Sequence, residues 1–169
     1  LVMLLGNLSS DNGTTASRSS ERDAILGDDA DVDVSVTGFT NPVTAAEVRQ
    51  LNVIAAGTSG GVTASVTGAK ATLANLSTSG TDDAITITVT DAVDASEGGA
   101  IAGKTTATID FQNGVSDSLG NLSSDNGTTA SRSSELDAIL ADEQIFESEL
   151  VVELVVELDL LSTPHNLLC

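Results

Sequence analysis

The chain has 169 residues, 40% of them hydrophobic and 2% aromatic, with six basic residues against 25 acidic ones and a net charge of −19. That length and apolar content supply one core built from Ala, Val, Ile and Leu, while Phe39, Phe111 and Phe146, the only aromatics, give few stacking platforms for bases, sugars or flat cofactors. The charge repels phosphate backbones and anionic lipid, which argues against nucleic acid as a partner, and Cys169, the single cysteine, allows neither an internal disulfide nor a thiolate metal cluster.

The apolar opening, Leu1 to Leu5, is too short and lacks the positive flank of a secretion signal, and a start at Leu1 rather than Met suggests a fragment or a processed end. Residues 6–26 then recur as residues 120–140, with one difference in 21 positions, Arg22 against Leu136. The offset of 114 residues reads as a tandem array. Residues 1–13 end one unit, 14–127 make a full one, 128–140 begin the next and 141–169 form a divergent acidic and apolar tail.

Between the two copies, apolar and small polar residues alternate in four runs, 32–37, 62–67, 85–90 and 107–111, as strands with one buried face require. Helical spacing separates them: Val48, Leu51 and Ile54; Leu73 and Leu76; Leu119 and Leu122; Leu136, Ile139 and Leu140. Thr44, followed three residues later by Glu47, predicts a capping box, and the glycines from Gly57 to Gly61 end that helix. The middle of the chain therefore reads as helix-then-strand modules over 14–38, 39–68, 69–91 and 92–111, whose helical connections favour parallel pairing.

The fold class expected is a β-rich repeat, a parallel β-solenoid-like stack of these modules, with an antiparallel β-sandwich as the alternative. Val32, Val34, Val36, Val62, Val66, Ile85, Ile87, Val89, Ile109 and Phe111 would stack inside, leaving Thr63, Ser65, Thr67, Thr86, Thr88 and Thr90 as an outer hydroxyl ladder. In the tail, Glu149, Glu153 and Glu157 would stripe a mostly apolar helix too short and charged to span a membrane, although Val151, Val152, Val155 and Val156 also permit an edge strand.

Four patterns bear on chemistry. The segment from Gly98 to Thr105 matches GxxxxGK[ST], whose Lys104 and Thr105 would hold phosphate and Mg²⁺ if a strand preceded it and a helix came after. Residues 106–111 read instead as a strand, and Glu97 adds a negative charge, so a turn leading into a strand is the expectation. Gly57, Ser59 and Gly61 fit GxSxG, but there the chain leaves a helix rather than a strand, and His165, the only histidine, lies far off in the tail. Asp28, Asp29, Asp31 and Asp33, the pair Asp82 and Asp83, and Asp91 with Asp94 offer oxygen ligands to Ca²⁺, but Val34 stands where an EF-hand loop needs Gly and no Glu closes the loop, so a solvated acidic face is preferred. The hydroxyl ladder faintly resembles ice-binding solenoids, although strand propensity explains it. Asn-x-Ser/Thr triplets at Asn7, Asn12, Asn75, Asn121 and Asn126 matter only in a glycosylating host.

The helix Thr-Ala-Ala-Glu-Val-Arg-Gln-Leu at 44–51 and the strands Gly-Gly-Val-Thr-Ala-Ser-Val-Thr-Gly at 60–68 and Asp-Asp-Ala-Ile-Thr-Ile-Thr-Val-Thr-Asp at 82–91 resemble the repeats of very long bacterial surface or secreted proteins, particularly those of marine cyanobacteria. The resemblance covers roughly residues 14–140 and implies an extracellular structural or adhesive array, partnered by neighbouring repeats and by cell-surface or matrix components. It carries over no functional residue. The expectation is a non-enzyme with no catalytic, cofactor or metal residue assigned and no cofactor beyond possible Ca²⁺; the alternatives are a nucleotide-binding enzyme using Lys104 and Thr105, and a calcium-stiffened adhesin or ice-binding protein.

Overall fold

A computed structural model of the protein describes residues 1–125 and 129–142. Strand β1 (Val2–Leu4) leads into the one-turn helix α1 (Leu5–Leu8), a small hairpin of β2 (Ser9–Asp11) and β3 (Ala16–Arg18), and helix α2 (Ser20–Asp28), which is N-capped by the Ser19 side chain. Strands β4 (Val34–Thr37), β5 (Val62–Gly68), β6 (Ala84–Val89) and β7 (Ile109–Phe111) come next, separated by helices α3 (Ala45–Ala55), α4 (Lys70–Leu73) and α5 (Ala95–Ala102). Helix α6 (Leu119–Leu122), strands β8 (Ser123–Asp125) and β9 (Ala130–Arg132) and helix α7 (Ser134–Asp142) close the described chain.

Alternation decides the sheet. Val34 and Val36, Val62 and Val66, Ile85, Ile87 and Val89, and Ile109 and Phe111 are all buried, as the period-2 pattern requires. Strands β1, β4, β5, β6 and β7 pair in that order, all in parallel, with Val66 beside Ile87 and Ile87 beside Ile109. The connecting segments bury side chains of their own against this face, among them Val48, Leu51, Ile54, Leu73, Leu76 and Ile101. Those residues form a second layer, helical except at Leu76, each contributing roughly 1.5–3 kcal/mol on burial.

This corrects the expected fold class. The protein is an α/β fold with one five-stranded parallel sheet and seven helices among the described residues, neither a solenoid of β repeats nor a β-sandwich. The segments between strands carry helices apolar enough to cover one face of the sheet, and among the described residues no second sheet packs on it. Two further departures are local. The β2–β3 hairpin, in which Ser9 faces Arg18, was not legible in the polar residues 9–18. The turn expected from Gly98 is instead the second half of α5, begun by a capping box between Asp94 and Glu97. The corresponding box between Thr44 and Glu47 forms as the sequence predicts.

Among the described residues, nothing covers the other sheet face. Thr63, Ser65 and Thr86 are exposed on it, with Ser65 paired to Thr86 and Thr67 to Thr88. Most parallel sheets are covered on both faces; here short hydroxyl side chains make the uncovered one tolerable to water.

The two copies of the sequence repeat fold alike. Every element of the first, from α1 through α2, reappears 114 residues later as α6 through α7, and Ser123 faces Arg132 as Ser9 faces Arg18. Among the described residues, no helix is long and apolar enough to cross a membrane. The expectations for Glu149, Glu153 and Glu157, and for Phe146, His165, Cys169 and Asn126, fall outside the described residues.

Candidate functional site

The phosphate-loop pattern is taken apart by secondary structure. Gly98 and Gly99 lie inside α5, so their amides serve helix hydrogen bonds instead of cradling an anion. Gly98 makes room for α7: a Cβ there would stand 2.6 Å from Ile139 Cδ1, and that side chain would have to shift. Lys104 Nζ donates to the Leu76 carbonyl at 2.6 Å. Thr105 is buried, its Oγ1 accepting from the amides of Ile85 at 2.7 Å and Ala107 at 2.9 Å while donating to the Ile85 carbonyl at 2.7 Å. Glu97 is held by Lys70 Nζ at 2.7 Å, which draws its carboxyl below the ordinary value. The strand–loop–helix geometry that phosphate binding needs is not formed here.

Ser59, the centre of the GxSxG pattern, donates its Oγ to the Ala30 carbonyl at 3.0 Å in the loop leaving α3. Gly57 in the same loop lies against Arg22, whose Nη2 would be 1.7 Å from a Cβ at that position. The Arg22 side chain is fully buried, and Nη2 donates to the carbonyls of Ile54 at 2.8 Å and Val53 at 3.3 Å. A guanidinium thus caps the last turn of α3, where the helix dipole favours a cation. Burial lowers its pKa, but arginine stays charged.

The acidic clusters turn into rungs between adjacent segments. Asp33 Oδ1 accepts from the Gly61 amide at 2.9 Å, and Asp83 accepts from Val62 at 2.9 Å and Ser79 at 2.7 Å. At the opposite end of the strands, Asp91 accepts from Lys70 at 2.9 Å and Asp117 from Ala95 at 3.2 Å. Asp94 caps α5 through the Glu97 amide at 2.7 Å. Asp29 and Asp31 stay on the surface, where hydrogen bonding and repulsion between them raise the Asp29 carboxyl. Among the described residues, no three His, Cys, Asp or Glu side chains converge where a metal ion could sit.

Two further polar contacts had only a partial signal in the sequence. Glu47 accepts from the Thr40 amide at 2.7 Å, Thr40 Oγ1 at 2.6 Å, the Thr44 amide at 2.7 Å and Thr44 Oγ1 at 2.7 Å. Burial would raise its pKa, but the hydrogen bonds from Thr40 and Thr44 prevail and hold it below the ordinary value. Arg49 grips Asp11 of the hairpin with two bonds of 2.8 Å and lowers the Asp11 carboxyl.

An open groove of about 480 Å³ lies on the uncovered sheet face, where β4 and β5 part after Ser35 and Thr63. Thr37, Phe39, Ser65 and Thr86 line it further, and no charged side chain does. It offers hydroxyls and one aromatic surface, with no acid, base or nucleophile activated by a neighbour. The N-x-S/T asparagines Asn7, Asn12, Asn75 and Asn121 are all exposed. Comparison with known proteins finds no matching family model, no matching curated protein and no matching solved structure.

Proposed function

We propose that this chain is a non-catalytic structural segment of a tandem array in an extracellular bacterial surface or secreted protein, with its bare hydroxyl-rich sheet face available for adhesive contact. One observation carries the reading: most of the residues that could do chemistry are used to join neighbouring backbone segments. Lys104, Thr105, Ser59, Asp33, Asp83, Asp91 and Asp117 each reach a main-chain group of an adjacent segment. The sequence repeat supports an array, and the net charge of −19 suits a soluble surface that repels its neighbours at low salt. Its partners are then the neighbouring repeats and, through the open face, matrix or cell-surface components.

The test has two arms. Thermal melting with and without Mg²⁺ and ATP should show no shift, and antibodies against residues 1–140 should label intact cells. A melting shift with ATP that Lys104→Ala abolishes would replace this reading with nucleotide binding. Labelling confined to permeabilised cells would remove the surface assignment.

A further inference from the structure

The two copies of the repeat have nearly the same sequence and the same succession of elements but differ in exposure at both ends, although Arg22 and its counterpart Leu136 are both buried. Leu5, immediately before the first copy, is 4% exposed, whereas its equivalent Leu119, immediately before the second, is 64% exposed. Leu8 is fully buried and its equivalent Leu122 only partly so. At the other side of the motif the order reverses: Ile139 on α7 is fully buried, while its equivalent Ile25 on α2 is only partly buried.

The cause lies in which neighbour each copy has. The first copy is succeeded by β4 and α3, and its hairpin docks on α3 through the Arg49–Asp11 pair and the Gln50 side chain, which donates to the Ser9 carbonyl at 2.9 Å. The second copy is preceded by α5, whose Gly98 lets Ile139 approach. One motif therefore has two docking faces, and among the described residues each copy has a different one filled.

We propose that this 21-residue motif is a two-sided joint, and that the open face around Leu119 and Leu122 takes the β4–α3 layer of a further copy of the unit placed in tandem. The occupant is identified by the packing of the same sequence in the same molecule: what covers Leu5 is what fits Leu119. The single sequence difference then tunes the joint. Arg22 reaches from α2 to the last carbonyls of α3 and fits the gap left by Gly57. Leu136, the equivalent residue, is already buried in this chain and has no donor, so a joint formed there lacks that cap. This inference rests on the array reading but is tested separately from it, since an array of independently folded beads would satisfy that reading and not this one.

The experiment inserts a second copy of residues 27–140 between Leu140 and Ala141 of the full chain, keeping everything else. Hydrogen exchange read by mass spectrometry over residues 115–122 should slow by at least about tenfold relative to the present chain, approaching that of residues 1–8. Leu119→Lys should restore fast exchange and lower the denaturation midpoint in the two-unit chain, yet leave the midpoint of the present chain unchanged. Leu136→Arg should lower the midpoint of the present chain, where that position is buried without an acceptor, and lower it less in the two-unit chain, where the guanidinium reaches the last carbonyls of α3 in the added unit. Unchanged exchange over 115–122, two independent unfolding transitions, or a silent Leu119→Lys in the two-unit chain would each overturn the joint, while leaving surface localisation and ATP indifference to judge the array reading.

Discussion

Gly57→Ala, measured in two backgrounds, probes the cap that Arg22 places on α3. A Cβ at position 57 would sit 1.7 Å from Arg22 Nη2 and 2.5 Å from Cζ, so the guanidinium has to retreat by about 2 Å to reach ordinary contact. That movement breaks its bonds to Ile54 and Val53 inside a fully buried site. Hydrogen bonds from charged groups contribute about 1.5–3 kcal/mol each, and the Val53 bond is long at 3.3 Å, so the expected loss is about 2–4 kcal/mol. With Arg22→Ala the obstacle is gone, and Gly57 does not adopt a left-handed conformation. There the added methyl should be neutral or stabilise by about 0.4–1 kcal/mol through the unfolded chain. The double-mutant cycle should thus give a coupling of about 2–5 kcal/mol. Because the chain has no Trp and no Tyr, urea unfolding tracked by far-ultraviolet circular dichroism is the suitable assay. An equal cost for Gly57→Ala in both backgrounds would refute the packing argument.

Thr105→Val keeps the shape but leaves the buried amide of Ile85 without its 2.7 Å acceptor; a loss of about 2–4 kcal/mol is expected by the same assay, and a change near zero would show that the hydroxyl is dispensable. Glu47 has a depressed folded-state pKa, so its contribution is complete above the unfolded value of about 4.3 and disappears as pH falls through the lower folded value. Glu47→Gln should therefore destabilise at pH 7 and flatten the acid limb of a stability-versus-pH curve below about pH 4; an acid limb identical to that of the parent would contradict this. Arg49→Met removes the two bonds to Asp11 and should speed hydrogen exchange across residues 9–18 while sparing β5 and β6. Equal exchange in the hairpin would show that the pair does not hold it.

Legibility tracked the range of the interaction. Strands β4 to β7 were readable because burial on one face imposes alternation on Val, Ile and Thr. Helix α3 was readable because its capping residues, Thr44 and Glu47, are three apart. Helix α5 was obscured because its second half is rich in Gly and Ala, and Gly98 answers to Ile139, distant in sequence on α7. The apolar strand β1 gave no strand signal in three residues, since its status depends on β4 pairing with Val2 from across the hairpin. Likewise the acidic clusters read as solvated or ligand-binding until the structure brought Gly61, Val62, Lys70 and Ala95 amides to them. Composition counts charges; it does not say which backbone donor each will meet.

What belongs to the chain locally is therefore its periodicity: which side chains face inward, where helices start, and that one motif is written twice. The layer architecture came from elsewhere. Helical connections as apolar as the strands pack onto the sheet and make an α/β fold of what the strand pattern suggested was a stack of coils, because burial of the connections depends on neighbours distant in sequence. The same holds for the repeat: identical residues at Leu5 and Leu119 are buried in one copy and exposed in the other, since exposure is a property of the surroundings and not of the residue.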